Sequence, residues 1–151
     1  MKLTRLSKLI AVVLFSAVAT FVSAQEPQDR ILNPNVATEQ ELSTLPQLNA
    51  KLVKELIAKR PYKTMLDVNA QLSPALSKEQ LAQLYVRLFL PINLNTASRE
   101  EILLVPGVGP RMAHEFEEYR PYKAIEQFRK EIGKYVDQKE VARLERYVTI
   151  R

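Results

Sequence analysis

The sequence predicts an all-α protein made of two tandem units, each a pair of helical hairpins. Three observations lead there: an internal repeat, helix-start signals that recur with it, and apolar residues at helical spacing. Aligned with itself at an offset of 60, the chain matches without a gap. Asn33, Asn35, Ala37, Glu41, Pro46 and Glu55 recur as Asn93, Asn95, Ala97, Glu101, Pro106 and Glu115. Arg60-Pro61-Tyr62-Lys63 recurs intact as Arg120-Pro121-Tyr122-Lys123, and Ala82 and Leu84 return as Ala142 and Leu144. Leu42 and Leu45 change conservatively, to Ile102 and Val105. An internal duplication of this length sets the architecture.

The helix starts repeat too. Thr38 with Glu41, Ser98 with Glu101, Ser77 with Gln80 and Asp137 with Glu140 all have capping-box spacing. A short polar side chain caps a free N–H, and the residue three later reaches back. These carboxylates read as caps rather than catalytic acids. In the second helix of each unit, apolar residues fall at Leu52, Val53 and Leu56, and at Met112, Ala113, Phe116 and Tyr119, which is helical periodicity. The prolines of Arg-Pro-Tyr-Lys end those helices, because a residue before proline avoids helical geometry. A third helix is expected near Thr64 and Ala124. A fourth is expected over residues 78–90 and 138–148. No segment reads as a convincing strand.

The first residues carry Lys2, Arg5 and Lys8 and no acid, followed by an apolar run over 9–22 and then Val22-Ser23-Ala24. This reads as a signal peptide over 1–24, cut after Ala24. The run is short for a membrane span. Residues 25–32 are expected to be a flexible polar segment, 33–90 and 93–151 the two units, and 91–92 the linker. So short a linker implies that the units pack on each other. The chain has 22 Lys+Arg and 17 Asp+Glu, a net charge of +5. Loss of Lys2, Arg5 and Lys8 leaves 19 against 17, or +2. A strong global field for polyanions is therefore missing, and such binding must come from local charge placement. With no cysteine and one histidine, His114, there is no thiol chemistry and no transition-metal constellation. No serine or threonine has an evident base partner, and no phosphate-binding Walker loop is present. No enzyme, cofactor or small-molecule substrate is expected.

The candidate site is the stretch 104–110, Leu-Val-Pro-Gly-Val-Gly-Pro. Gly107 and Gly109 are expected to turn the backbone through φ values closed to other residues. Pro110 suits the first position of the next helix. The backbone N–H groups around Val108 then form an unblocked helix N-terminus, a setting that binds phosphate. The same glycines also suit a sharp αα-turn without a ligand. At the matching place the first unit has Gln47-Leu48-Asn49, where Gln47 is ill-suited to a left-handed conformation. The later hairpins are also non-standard: Ser73-Pro74-Ala75-Leu76 has no glycine, and Gly133 has no glycine partner two residues away. Two local basic groups stand out, one of Lys51, Lys54, Lys59, Arg60 and Lys63, the other of Arg120, Lys123, Arg129, Lys130 and Lys134. Solvated helix faces explain either. Tyr62 and Tyr122 could stack on a base but are better placed to pack over the turn.

The hairpin and the preceding Ile92-Asn-Leu-Asn-Thr-Ala-Ser98 resemble the helix-hairpin-helix domain of the exported ComEA competence DNA receptors, clearly over 93–150 and more faintly over 33–90. The resemblance implies an exported, all-α protein of two tandem double helix-hairpin-helix units that binds double-stranded DNA without sequence preference. It implies phosphate contacts at Gly107, Val108 and Gly109, with Arg111 and Lys123 as cations and Lys51 and Lys63 as weaker candidates. Periplasmic or other extracytoplasmic placement and a role in DNA uptake follow from it. The double hairpin is also similar to the PsbU family of lumenal photosystem II subunits. That likeness implies a structural subunit with a protein partner in a membrane-associated complex. The short Arg-Pro-Tyr-Lys connection suits this second family, and the intact Val-Pro-Gly-Val-Gly-Pro suits the first. Export with cleavage predicts that intact-mass analysis of protein from an extracytoplasmic fraction finds a chain beginning at Gln25. A full-length cytoplasmic product would defeat it.

Overall fold

In the computed structural model, residues 30–151 are described. The signal peptide assigned to 1–24 and most of the flexible segment assigned to 25–32 lie outside the described residues. Among those described there are eight helices: α1 (Glu39–Ser43), α2 (Ala50–Ala58), α3 (Met65–Leu72), α4 (Lys78–Tyr85), α5 (Arg99–Ile102), α6 (Pro110–Glu118), α7 (Ile125–Ile132) and α8 (Gln138–Glu145). α1–α4 and α5–α8 succeed each other at the 60-residue offset seen in the sequence. The fold is all-α.

Two departures from the sequence reading concern the ends of each half. The fourth helices stop at Tyr85 and Glu145, short of Leu90 and Val148. The residues beyond them are extended and pair in parallel with the start of their own half. Ile92–Asn93 (β1) pairs with Val148–Thr149 (β2), and Leu32 bridges Leu88 at the equivalent place. Ladders this short leave no period-two signature in a sequence. Leu32, expected in the flexible segment, is buried. Its N–H donates to the Arg87 carbonyl at 2.7 Å, and its own carbonyl accepts from Phe89 at 2.9 Å.

The repeated polar residues form the frame. Asn95 pairs its side-chain amide with the Tyr122 backbone, donating to the carbonyl at 2.9 Å and accepting from the N–H at 2.7 Å. Asn35 does the same with Tyr62, at 2.9 and 2.7 Å. Arg120 donates to the carbonyls of Leu94 and Ala97, and Arg60 to those of Pro34 and Ala37. Each half thus ties its first residues to the turn that closes α2 or α6. Tyr62 and Tyr122 are buried beneath this turn. The Tyr62 hydroxyl donates to the Leu56 carbonyl at 3.0 Å, and burial pushes its titration upward. These tyrosines belong to the core rather than to a base-stacking surface.

The capping boxes at Thr38 and Ser77 close in both directions. The other two close in one direction only. Ser98 and Asp137 accept from the N–H three residues on, at 3.2 and 2.8 Å, but the later carboxylates turn elsewhere. Glu140 pairs with Arg143. Glu101, 7% exposed, reaches into the other half and accepts from the Met65 N–H at 2.8 Å, the first amide of α3. The halves meet elsewhere as well: Phe89 and Tyr147 stack edge to face at 5.1 Å, and the Tyr147 hydroxyl donates to the Val86 carbonyl at 3.1 Å. One hydrophobic core runs through both halves.

Glu101→Ala leaves the buried Met65 N–H without its partner, which costs about 1–3 kcal/mol. Glu101→Gln keeps an accepting oxygen at that place. Urea unfolding should show the alanine variant distinctly less stable than the glutamine variant. Equal losses would refute the role assigned to this bond.

Candidate functional site

The α5–α6 hairpin carries the candidate residues. Val108 is buried and its N–H donates to the Val105 carbonyl at 3.0 Å, closing the turn. Gly107 has φ +80°, and no non-glycine residue among those described has a positive φ. Gly109 differs from the sequence expectation. Its φ of −97° with ψ 177° is extended backbone that any residue adopts, and a Cβ built there meets nothing within 4 Å. The torsional requirement falls on Gly107 alone. Gly109 is instead the N-cap of α6, and having no side chain it makes no side-chain cap bond. Pro110 follows at the first helical position. The amides of Arg111 and Met112 are the next in line at an end carrying the positive pole of the helix dipole.

The first half makes the opposite choice. Asn49, the N-cap of α2, accepts from the Leu52 N–H at 2.9 Å through its own side chain. Leu52 is the counterpart of Met112. The turn bond is kept, from the Leu48 N–H to the Leu45 carbonyl at 3.0 Å. Gln47 closes its hairpin without the left-handed torsion of Gly107. Thus the α1–α2 hairpin keeps the shape but fills the place an anion would take.

Arg143 is a residue the sequence reading missed. From α8 it donates to the Pro106 carbonyl at 2.7 Å, while Glu140 grips its guanidinium at 2.7 and 2.6 Å. A Cβ on Gly107 would stand 2.9 Å from Arg143 Nη2. Gly107 is therefore fixed by its torsion and by the guanidinium over it. The first half has Gln83 at the Arg143 position and Gln47 at the Gly107 position. Their side chains face each other at 3.5 Å, from Gln47 Nε2 to Gln83 Oε1. That paired swap was the available signal.

Arg111 is exposed and has no ion-pair partner among the described residues. It lines a shallow depression with Gly109, Met112, Glu115, Lys134 and Tyr135, so the α7–α8 turn borders the open end of α6. Lys134 pairs with Glu131 and lies over the Tyr119 ring, 4.9 Å from its centre. Tyr119 and Tyr135 share a hydroxyl hydrogen bond of 2.8 Å. The bond to Tyr119, with the nearby Glu115 carboxylate, pushes the titration of Tyr135 upward.

Other candidate cations lie elsewhere. Lys123 is exposed beyond the far end of α6, which lies roughly 11 Å along the helix from Arg111. It borders a separate depression with Ala124, Ile125 and residues 148–150. Lys51, the counterpart of Arg111, pairs with Glu55 at 3.9 Å. Lys63 is exposed on the first half, where its backbone N–H bonds to Asp67. The two basic groups do not act as groups, because Arg60 and Arg120 hold backbone carbonyls and Arg129 grips Glu145 at 2.7 and 2.6 Å. His114 is exposed beside Glu118. Among the described residues no cluster of three His, Asp or Glu side chains could hold a metal, and no helix is long and apolar enough to cross a membrane.

Residues 89–149 match the family model described as the helix-hairpin-helix motif. The second half of the chain is thus similar to a helix-hairpin-helix domain, with β1, the 107–109 turn, Arg143 and β2 all inside the match. Such a domain is compatible with nucleic-acid binding. No curated protein and no solved structure matches the chain significantly.

Gly107→Ala should lower stability by about 1–2 kcal/mol, from the left-handed torsion alone. Gly109→Ala, with ordinary torsions and open space, should cost less, about 0.5 kcal/mol, from the N-cap preference for glycine over alanine alone. Thermal melts of the two variants check this contrast, and equal losses would contradict it.

Proposed function

We propose that this chain is an exported protein that binds double-stranded DNA without sequence preference, as the ComEA-like resemblance suggests, and that DNA uptake is the process it serves. The observation that carries the binding reading is the opposed choice at two equivalent helix starts. Asn49 occupies the Leu52 amide from within, whereas Gly109 leaves the start of α6 without a side-chain cap and Arg111 stands beside it without an ion-pair partner. A phosphate oxygen is the natural acceptor for such amides. The helix-hairpin-helix match over 89–149 supports a nucleic acid as the phosphate's owner. Contacts to phosphates fix position and carry no base information.

Binding should be weak, because one open hairpin reaches few phosphates. With about two to four neutralised, log affinity falls against log salt with a slope of roughly −2 to −4. Arg111→Ala should reduce that slope by about one on any duplex sequence. Lys51→Ala should change little.

Gly109→Asn is the sharper test. It transplants the cap of α2 onto α6, so it should hold or raise stability while weakening DNA binding roughly tenfold, the loss of about one charge-assisted hydrogen bond. Mobility-shift titrations beside thermal melts read both quantities. No retardation of duplex DNA at low salt would turn the assignment to the protein-binding, PsbU-like alternative. Unchanged binding by Gly109→Asn would remove the site from α6.

A further inference from the structure

The contact between the two halves has a counterpart on α7 and α8 that nothing among the described residues fills. Residues 103–108 of the α5–α6 hairpin form one wall of a depression whose other wall is Asn69, Ser73, Lys78, Leu81, Ala82 and Tyr85, from α3, its C-cap and α4. Advanced by 60 positions, these six become Arg129, Gly133, Gln138, Val141, Ala142 and Glu145. Together with Lys130, those six residues line an open groove on α7 and α8. The polar contact beside the first groove has a counterpart too. Glu101 accepts from Met65, the first amide of α3. Ile125, the first amide of α7, follows an N-cap, Ala124, that makes no side-chain bond. The counterpart of Glu101 is Glu41, whose carboxylate in the free chain caps the Thr38 N–H at 2.7 Å and pairs with Arg30 at 3.1 Å, so docking exchanges these bonds for one to Ile125.

We infer that the α7–α8 face docks a second copy of this chain, which seats its α1–α2 hairpin there head to tail, as the α5–α6 hairpin is seated on α3 and α4. Charge agrees with this pairing. The first turn of α1 carries Glu39 and Glu41, and the receiving face carries Lys130, nearby Lys123 and the positive end of α7, while its acids Glu126 and Glu145 are already paired with Arg129. The substitutions between the two grooves set the strength of the contact. The Arg129–Glu145 ion pair stands where Asn69 bonds to the Tyr85 hydroxyl, and Ser43 and Thr44 stand where Leu103 and Leu104 do. A contact with more polar walls is reversible and leaves the free chain soluble. Because donor and acceptor faces differ, the contact is heterologous and propagates from copy to copy. It stands independently of DNA binding.

The chain has no cysteine, so engineered ones report without background. Ser43 and Ala142 are both exposed, and their counterparts Leu103 and Ala82 border the same groove. Full-length Ser43→Cys and Ala142→Cys proteins, mixed and oxidised, should give mixed disulfide dimers above the statistical two-to-one ratio over each self-dimer. The parent's sedimentation mass should rise with concentration, and Ala142→Arg should return it to the monomer. A statistical mixture, a parent that stays monomeric to millimolar concentration, or association untouched by Ala142→Arg would each overturn the proposal. The first two results leave the face unused or serving a different protein, and the third moves self-association to another surface.

Discussion

The fold depends on one polar clamp, made once in each half. Asn35 and Asn95 read the backbone of a tyrosine 27 residues ahead, and Arg60 and Arg120 hold two carbonyls from the segment that carries those asparagines. Helices of four to nine residues have little stability alone. The clamp fixes where the first hairpin ends and the second begins, so each short helix presents its apolar stripe to one shared core. It needs no disulfide and no metal. It also takes two arginines out of any interaction with a polyanion, leaving Arg111 as the available cation nearest the hairpin.

On this common frame the halves diverge at their helix starts. Asn49 and Thr64 cap α2 and α3 from within, whereas Gly109 and Ala124 at the same places cap nothing. The first half is thus sealed at two amide ends that the second leaves open. Helix-start chemistry contributes only modestly to stability, so the exchange leaves the fold intact. What changes is which surface can accept an anion or a carboxylate.

Most of the frame was legible because it is local or repeated. Helix starts, the ends at Arg-Pro, and burial of Tyr62 and Tyr122 follow from short-range spacing. Interactions that cross between segments were not legible. Ser98 and Glu101 have the spacing of a closed box, yet Glu101 bonds 36 residues back because α3 brings an unpaired amide to it. Gly107 and Gly109 look alike in the sequence. One meets a torsional and steric demand set partly by Arg143, and the other is useful for the side chain it lacks. The parallel pairings of Leu32 with Leu88 and of Ile92 with Val148 are too short to mark a pattern, though they bring each half's ends together.

The bond from Glu101 to Met65 also bears on the order in which the chain can be completed. The first half leaves the ribosome first, but Glu101 and Tyr147, which bond to Met65 and Val86, come later. The first half gathers its full set of contacts only when nearly the whole polypeptide has emerged. Until then the Met65 amide and the Phe89 ring wait for partners that only the second half supplies.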